Sequence, residues 1–394
     1  MLVGIVGKPN VGKSTFFKAA TLAEVLIADY PFATIKPNQG IGYVRIPCID
    51  TEFHTQCNPR EGFCINHERF VPVTLLDVAG LVRGASEGKG LGNQFLDDLR
   101  HADLFIHIVD LSGTTNEEGK KTENYDPCND ILFIEEELDL WFLGIFNKVW
   151  RSFSRKIEAE KQNFIQAVLK QFSGLKITEN QIKDSISKSG LNPEKSSQWN
   201  EKDLFTFART LRKISKPMII AGNKCDMPLS KENLKKLKAK FPDYLIVPCS
   251  ADSELALREA AKAGIINYIP GDSHFKIIKD VSEKQKNALD FIKKNVLEVY
   301  NNTGVQNLLN EAVFNFLKYI AIFPASPNKL VDSQGRILPD CFLLPAGSTA
   351  LDFAFTIHTD LGKNFIKAID ARTKMALGKD HKLKHRDALE IITR

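Results

Sequence analysis

Short apolar runs recur along the chain at Leu2–Val6, Val71–Leu76, Leu104–Val109, Pro217–Ala221 and Tyr244–Pro248, with helical or loop stretches between them. Runs of this length, bounded by turn residues, read as buried strands. Strands that alternate with helices predict an α/β fold with a mostly parallel sheet covered on both faces. Between Asp110 and Pro217 no comparable strand occurs. There Ile134, Leu138, Trp141, Ile145, Val149, Phe153, Ile157, Phe164, Val168 and Phe172 follow at steps of three or four, apart from one skipped turn. That is one face of a helix. A continuous helix over 131–172 would extend about 60 Å, so the expectation is a projecting helix that pairs with a returning one near 177–215. The result would be an inserted helical hairpin or coiled coil.

Helical patterns return at Ser282–Tyr300 and Val305–Tyr319. Beyond Phe323-Pro324-Ala325-Ser326-Pro327, short strands are predicted at Cys341–Leu344, Asp352–His358, Phe365–Asp370 and Ala388–Thr393. The proline-rich stretch reads as a domain boundary.

Composition narrows the class. The 394 residues are 43% hydrophobic and 26% charged, which excludes a disordered or fibrous chain and a miniature disulfide scaffold. Seven cysteines, an odd number, argue against a secreted disulfide framework. Met1–Val6 has no basic segment before it and no long apolar region after it, and no apolar run reaches membrane-spanning length. A soluble cytoplasmic protein without membrane contact, and a monomer, is the expectation. The net charge of +5 is mild, but residues 147–216 hold fifteen Lys and Arg against seven Asp and Glu. A solvated helical surface and an RNA-binding face both account for that excess. Residues 361–394, with nine basic and four acidic side chains, pose the same pair of readings. His54, Cys57, Cys64 and His67 form an H-x2-C-x6-C-x2-H pattern, which fits either a zinc site or free thiols in a surface insertion.

The chemistry begins at Gly7-Lys8-Pro9-Asn10-Val11-Gly12-Lys13-Ser14, a G-x-x-x-x-G-K-[ST] loop between an apolar strand and the helix-compatible Thr15–Leu22. Its glycines let backbone amides approach phosphates, Lys13 neutralises the β and γ oxygens, and Ser14 ligates Mg²⁺. Asp77, in Asp77-Val78-Ala79-Gly80 at a strand end, is placed for the magnesium shell, and the Gly80 amide for sensing the γ-phosphate. Thr34 offers a hydroxyl that closes on the metal when the triphosphate is bound. Asn223-Lys224-Cys225-Asp226 follows the strand 217–221. An Asp226 carboxylate can accept from guanine N1–H and the exocyclic amine, a donor pair that adenine lacks. Ser250 and Ala251 match the supporting base loop. Four such elements in the right order define a guanine-nucleotide site.

These residues also carry a resemblance. The loop with Pro9-Asn10-Val11, the segment Ala28–Thr34, and Asp77–Ala85 followed by Gly88–Leu96 resemble the Obg branch of translation-related GTPases. Within it the chain is most similar to the YchF group, and to its archaeal members. Leu344–Asp360 resembles a TGS domain. The resemblance implies a G domain over 1–128 and 205–325, the second part with a helical extension, a coiled-coil insertion over 129–204, and a β-grasp TGS domain over 326–394. It also implies ribosomes and RNA as partners. Many YchF members carry a base-reading motif that ends in Glu and prefer ATP, whereas Lys224 and Asp226 are the GTP-type residues. GTP is therefore the expected substrate, with ATP as the alternative.

Leu81 stands where Ras-like enzymes place the glutamine that orients water, so slow intrinsic hydrolysis is expected. Asn10 has two readings, a ligand of a potassium ion beside the phosphates or a brace for the loop. The working expectation is a Mg²⁺-dependent GTPase switch in translation. An ATP-preferring regulatory hydrolase and an RNA- or ribosome-binding module with structural nucleotide are its rivals.

Overall fold

β1 (Leu2–Val6) and β5 (Leu104–Asp110) are apolar on both alternating faces, so they bury best in the middle of a sheet with helices on either side. The structure, a computed structural model, describes residues 1–21, 39–78, 84, 99–327, 330–332 and 334–394. In it β1 lies between β4 (Glu68–Asp77) and β5, parallel to both, and β6 (Met218–Asn223) and β7 (Ile246–Pro248) continue the parallel order β4-β1-β5-β6-β7. The strands predicted for this sheet are all present. Two more, β2 (Gln39–Pro47) and β3 (Phe63–Ile65), pair antiparallel with β4 and widen the sheet at that edge.

One face of the sheet, with Val3, Ile5, Ile106 and Ile108, packs on α1 (Lys13–Thr21) and on the helical extension at Val305, Leu308 and Leu309. The other, with Val6, Phe105, Val109 and Ile220, packs on α2 (Cys128–Asn147) and the helices that follow.

The expected continuous helix over 131–172 is not formed. Three shorter helices replace it: α2, α3 (Trp150–Ala159) and α4 (Phe164–Gln171). Lys161 adopts a left-handed conformation, φ 48°, and Asn163 caps α4 by accepting from the Gln166 amide, so the chain turns at the skipped position of the apolar pattern. α5 (Glu179–Ser189) and α6 (Glu201–Ser215) then return, each opened by a capping box, at Thr178 and Asn200. The folded-back helices close around aromatic rings: Phe146 lies 4.2 Å from Phe172, and Trp150 stacks on Trp199 at 5.3 Å. Each buried large side chain contributes about 1.5–3 kcal/mol, against about 1 kcal/mol for each helical hydrogen bond given up at a turn. Burial therefore favours a compact bundle over a projecting rod.

Helices α7 (Ser230–Lys240) and α8 (Ala251–Lys262) complete the layers around the sheet. Beyond α8, a short antiparallel pair, β8 (Ile266–Asn267) and β9 (Lys276–Ile277), follows, and the C-terminal region forms a second sheet of five strands. Its strands are β10 (Tyr319–Pro324), β11 (Phe342–Pro345), β12 (Phe365–Asp370), β13 (Ala376–Leu377) and β14 (Ala388–Thr393), in the order β11-β10-β14-β12-β13. Two expectations are corrected here. Asp352–His358, read as a strand, lies in a helix, Ala350–Ile357, because Thr349 and Asp352 form a capping box and Ala350, Phe353 and Ala354 share one buried face. β10 belongs to the second sheet although it ends at Pro324, inside the proline-rich stretch, so that sheet begins before the boundary expected at 325/326. No described helix is long and apolar enough to cross a membrane.

Candidate nucleotide-binding site

The loop from Gly7 to Gly12 joins β1 to α1 at the carboxyl end of the parallel strands, where open α/β sheets bind ligands. Gly12 has φ +96°, and a Cβ there would strike the Asn223 side chain. Only glycine fits. Lys13 opens α1, and its ammonium curls back to donate to the Lys8 carbonyl at 2.7 Å. Burial lowers its pKa to about 8, against the opposing pull of Asp77. Asp77 ends β4 in register with Ile5, and burial raises its pKa, while Lys13 and a hydrogen bond to Ser14 hold it down. Ser14 is exposed and Thr15 half-buried on the first turn of α1. The Ser14 hydroxyl and the Asp77 carboxylate thus meet beside the loop. Two hard oxygen donors, one a carboxylate whose burial favours a neighbouring cation, fit Mg²⁺.

Asn223 joins three loops. Its side chain donates to the Val11 carbonyl at 2.8 Å and accepts from the Ala251 amide at 3.0 Å, so the phosphate loop, the base-reading strand end and the start of α8 share one buried residue. Lys224, at φ 59°, reaches Asp110 Oδ2 at 2.7 Å. Burial pushes the Asp110 carboxyl up, but hydrogen bonds from Lys224 and Ser112 outweigh it and hold the pKa below the usual range. Asp226 is half-buried, and no described residue hydrogen-bonds its carboxylate. Ser250 Oγ donates to Ser253 Oγ at 2.7 Å, which fixes the turn that carries Ala251.

Two side chains of the phosphate loop are held by residues that follow β5. Lys8 is buried and pairs with Asp130 at 2.9 Å, donates to the Thr115 carbonyl at 2.7 Å and lies over the Tyr125 ring. Its backbone, not its ammonium, faces the cradle. Asn10, at φ 63°, donates to the Gly119 carbonyl at 2.9 Å, so its amide braces the loop against the segment after β5. Thr34, Gly80 and Leu81 lie outside the described residues.

Sequence reasoning did not single out Asp110, Asp130 or Glu137. Asp110 carried a usable signal, since it ends an apolar strand as Asp77 does. Glu137, on α2, accepts from the Gly84 amide at 2.7 Å and so ties Gly84 to the helical region. The His54, Cys57, Cys64 and His67 pattern is not assembled as a set: His54 is exposed, whereas Cys57 and Cys64 converge with Cys48 and Asp50.

A phosphate loop, a strand-end aspartate and an Asn-Lys-x-Asp element at the carboxyl edge of a parallel sheet define a P-loop nucleoside triphosphate hydrolase. Comparison with known proteins narrows the class. Residues 2–138 match the family described as 50S ribosome-binding GTPase, residues 221–326 the Obg-like GTPase YGR210-like, G4 motif-containing domain, and residues 328–393 the TGS domain. An uncharacterized GTP-binding protein of Methanocaldococcus jannaschii is 49% identical over 395 residues, covering 100% of this chain and 99% of its own. The ribosome-binding ATPase YchF of Buchnera aphidicola is 28% identical, covering 93% of this chain and 86% of its own. Among solved structures, a GTP-binding protein from Pyrococcus horikoshii covers 100% of both chains at 38% identity and a TM-score of 0.80. The chain belongs to the YchF/Obg-like GTPase family.

Proposed function

We propose that this protein is a Mg²⁺-dependent GTP-binding and GTP-hydrolysing switch that acts with the ribosome or its RNA. The observation that carries the nucleotide reading is Asn223, which locks the base-reading segment to the phosphate loop and leaves Asp226 beside them without a hydrogen bond from the described residues. A carboxylate there complements guanine and repels the acceptor edge of adenine. Lys13 would hold the phosphate charge, with Ser14 and Asp77 holding the metal. Magnesium, when bound, draws charge from the β and γ oxygens during transfer to water. The Asn10 amide keeps the loop in shape, and the hydrogen bond from the Gly84 amide to Glu137 links Gly84 to the helical region.

The ribosome reading is supported by two features. YchF relatives from Buchnera aphidicola and Mycoplasma genitalium are named ribosome-binding ATPases. Of the fifteen basic side chains in 147–216, thirteen are exposed, while Arg212 and Lys216 are buried. Such a surface suits a phosphate backbone.

Competition binding separates the nucleotides. The expected outcome is a preference for GTP, and Asp226→Asn should weaken GTP by about 100-fold while improving xanthosine triphosphate, whose second carbonyl an amide can reach. Equal or better binding of ATP by the natural chain would overturn the GTP assignment. For the partner, steady-state GTP hydrolysis is measured with and without ribosomes. An unchanged rate without co-sedimentation would remove the ribosome and leave the nucleotide site standing.

A further inference from the structure

The strongest unassigned chemistry lies away from the nucleotide. Between β2 and β4 the chain inserts a short helical turn, Ile49–Phe53, then a loop and β3. Cys48 precedes the turn, Asp50 lies in it, Cys57 sits in the loop and Cys64 in β3. Their three sulfurs and one carboxylate oxygen all lie within 4.8 Å of one another. Cys48 Sγ and Cys57 Sγ are 3.5 Å apart, and Cys64 Sγ is 3.9 Å from Asp50 Oδ2. A tetrahedron with zinc–sulfur bonds of about 2.3 Å has edges of about 3.8 Å. The two shorter separations match that edge, and no pair of the four atoms exceeds it by more than about 1 Å.

Burial and outer contacts agree with a closed site. Asp50 is fully buried, and Cys48 and Cys57 are 1% and 5% exposed. Asp50 Oδ2 accepts from the Cys57 amide at 3.0 Å, and Oδ1 meets His67 Nδ1 at 3.0 Å, so the carboxylate is oriented by groups around it. Arg69, itself buried, donates to Cys57 Sγ at 3.6 Å and offsets the negative charge of a thiolate set. Three thiolates select zinc over the hard cations that suit Ser14 and Asp77.

We propose that Cys48, Cys57, Cys64 and Asp50 bind one structural zinc ion, which holds rigid the platform on which the C-terminal domain sits. The same segment makes that contact. The Asn58 and Arg60 amides donate to the Ile337 and Pro339 carbonyls at 2.9 Å each, and Arg69 donates to those of Leu338 and Pro339. Glu52 pairs with Arg372 and Arg386.

The test uses the full chain, expressed with added zinc and dialysed against EDTA. Elemental analysis should find about one zinc per chain, and a mercurial thiol reagent should release it in step with loss of three of the seven free thiols. Cys57→Ser and Cys64→Ser should lose the ion, and Cys341→Ser should keep it. If the serine variants do not fold, the natural chain still decides: stripped and given Co²⁺, it should show the visible bands of tetrahedral cobalt with thiolate charge transfer. Zinc removal should also speed hydrogen exchange at the Asn58 and Arg60 amides. A chain that takes up neither zinc nor cobalt, a Cys48–Cys57 disulfide in protein purified without reductant, or zinc retained by both serine variants would overturn the site. Unchanged exchange on zinc removal would overturn the platform role.

Discussion

Lys13 shows how a single residue sets the behaviour of the nucleotide site. Its ammonium is buried beside Asp77, with a pKa of about 8, so the free protein loses this charge as pH rises through that value. A bound polyphosphate favours the charged form. Binding above pH 8 therefore requires proton uptake, and the GTP dissociation constant should rise with pH there, up to about tenfold per unit, and stay flat below pH 7. Calorimetry in buffers of different ionisation enthalpy would report the proton. Asn223 tests the geometry in another way. Asn223→Ala removes a donor from Val11 and an acceptor from Ala251, each buried group left alone costing about 1–3 kcal/mol. We expect GTP affinity to fall at least tenfold, read by titration with a fluorescent nucleotide. At this scale the spacing of residues 7–14 identified the loop, but not that Lys8 turns inward. Its partner Asp130 lies more than a hundred positions away, and no local pattern encodes that pairing.

The helical region is where element-level reading met its limit. The apolar period along 131–172 was legible, and the skipped turn between Ile157 and Phe164 marked the second of its two breaks, whereas the first, at Lys148 and Val149, falls where the pattern runs on. What periodicity cannot express is where a helix stops, since Lys161 in a left-handed conformation and the Asn163 cap act through backbone geometry. β2 was missed for a related reason. Its sequence begins Gln39-Gly40-Ile41-Gly42, and Gly40 is small because a Cβ there would come within 2.6 Å of the Phe17 ring. Close packing on α1 thus removed the apolar bulk that advertises a strand. The helices themselves are pinned by Arg212, 1% exposed, which pairs with Glu135 at 2.9 Å and with Asp139. Burial pushes Glu135 up, yet the Arg212 hydrogen bond and charge bring its pKa to about 2. Arg212→Ala would leave the two buried carboxylates with only the exposed Arg209 and Lys213 as cationic partners and should destabilise the protein by about 3–5 kcal/mol, measured by urea unfolding. Because the Glu135 pKa is depressed in the folded state, its contribution is present above pH 4.5 and is lost as pH falls toward 2.

At the scale of the whole molecule, the exposed Arg151, Arg155 and Lys156 lie on α3, an element separate from those that carry the nucleotide-site residues. Replacing Arg151, Arg155 and Lys156 by glutamate should leave GTP binding unchanged. Ribosome co-sedimentation should weaken by at least tenfold, and the slope of log affinity against log salt should become shallower, by about 0.7–0.9 for each phosphate no longer neutralised. The overall plan of sheet, helical insertion and C-terminal β domain was legible in the motifs and their order. The seam between the last two parts was not, because prolines at 324 and 327 signal a change of direction and not a change of sheet.

That seam bears on how the chain can be divided. β10 lies between β11 and β14, so a fragment cut at residue 326 lacks the middle of its own sheet and presents two raw strand edges to solution. The C-terminal domain is not a cassette that can be lifted out at the prolines. A transplant must carry Tyr319–Pro324 with it, and the shorter piece is expected to aggregate where the longer one stays monodisperse in size-exclusion chromatography.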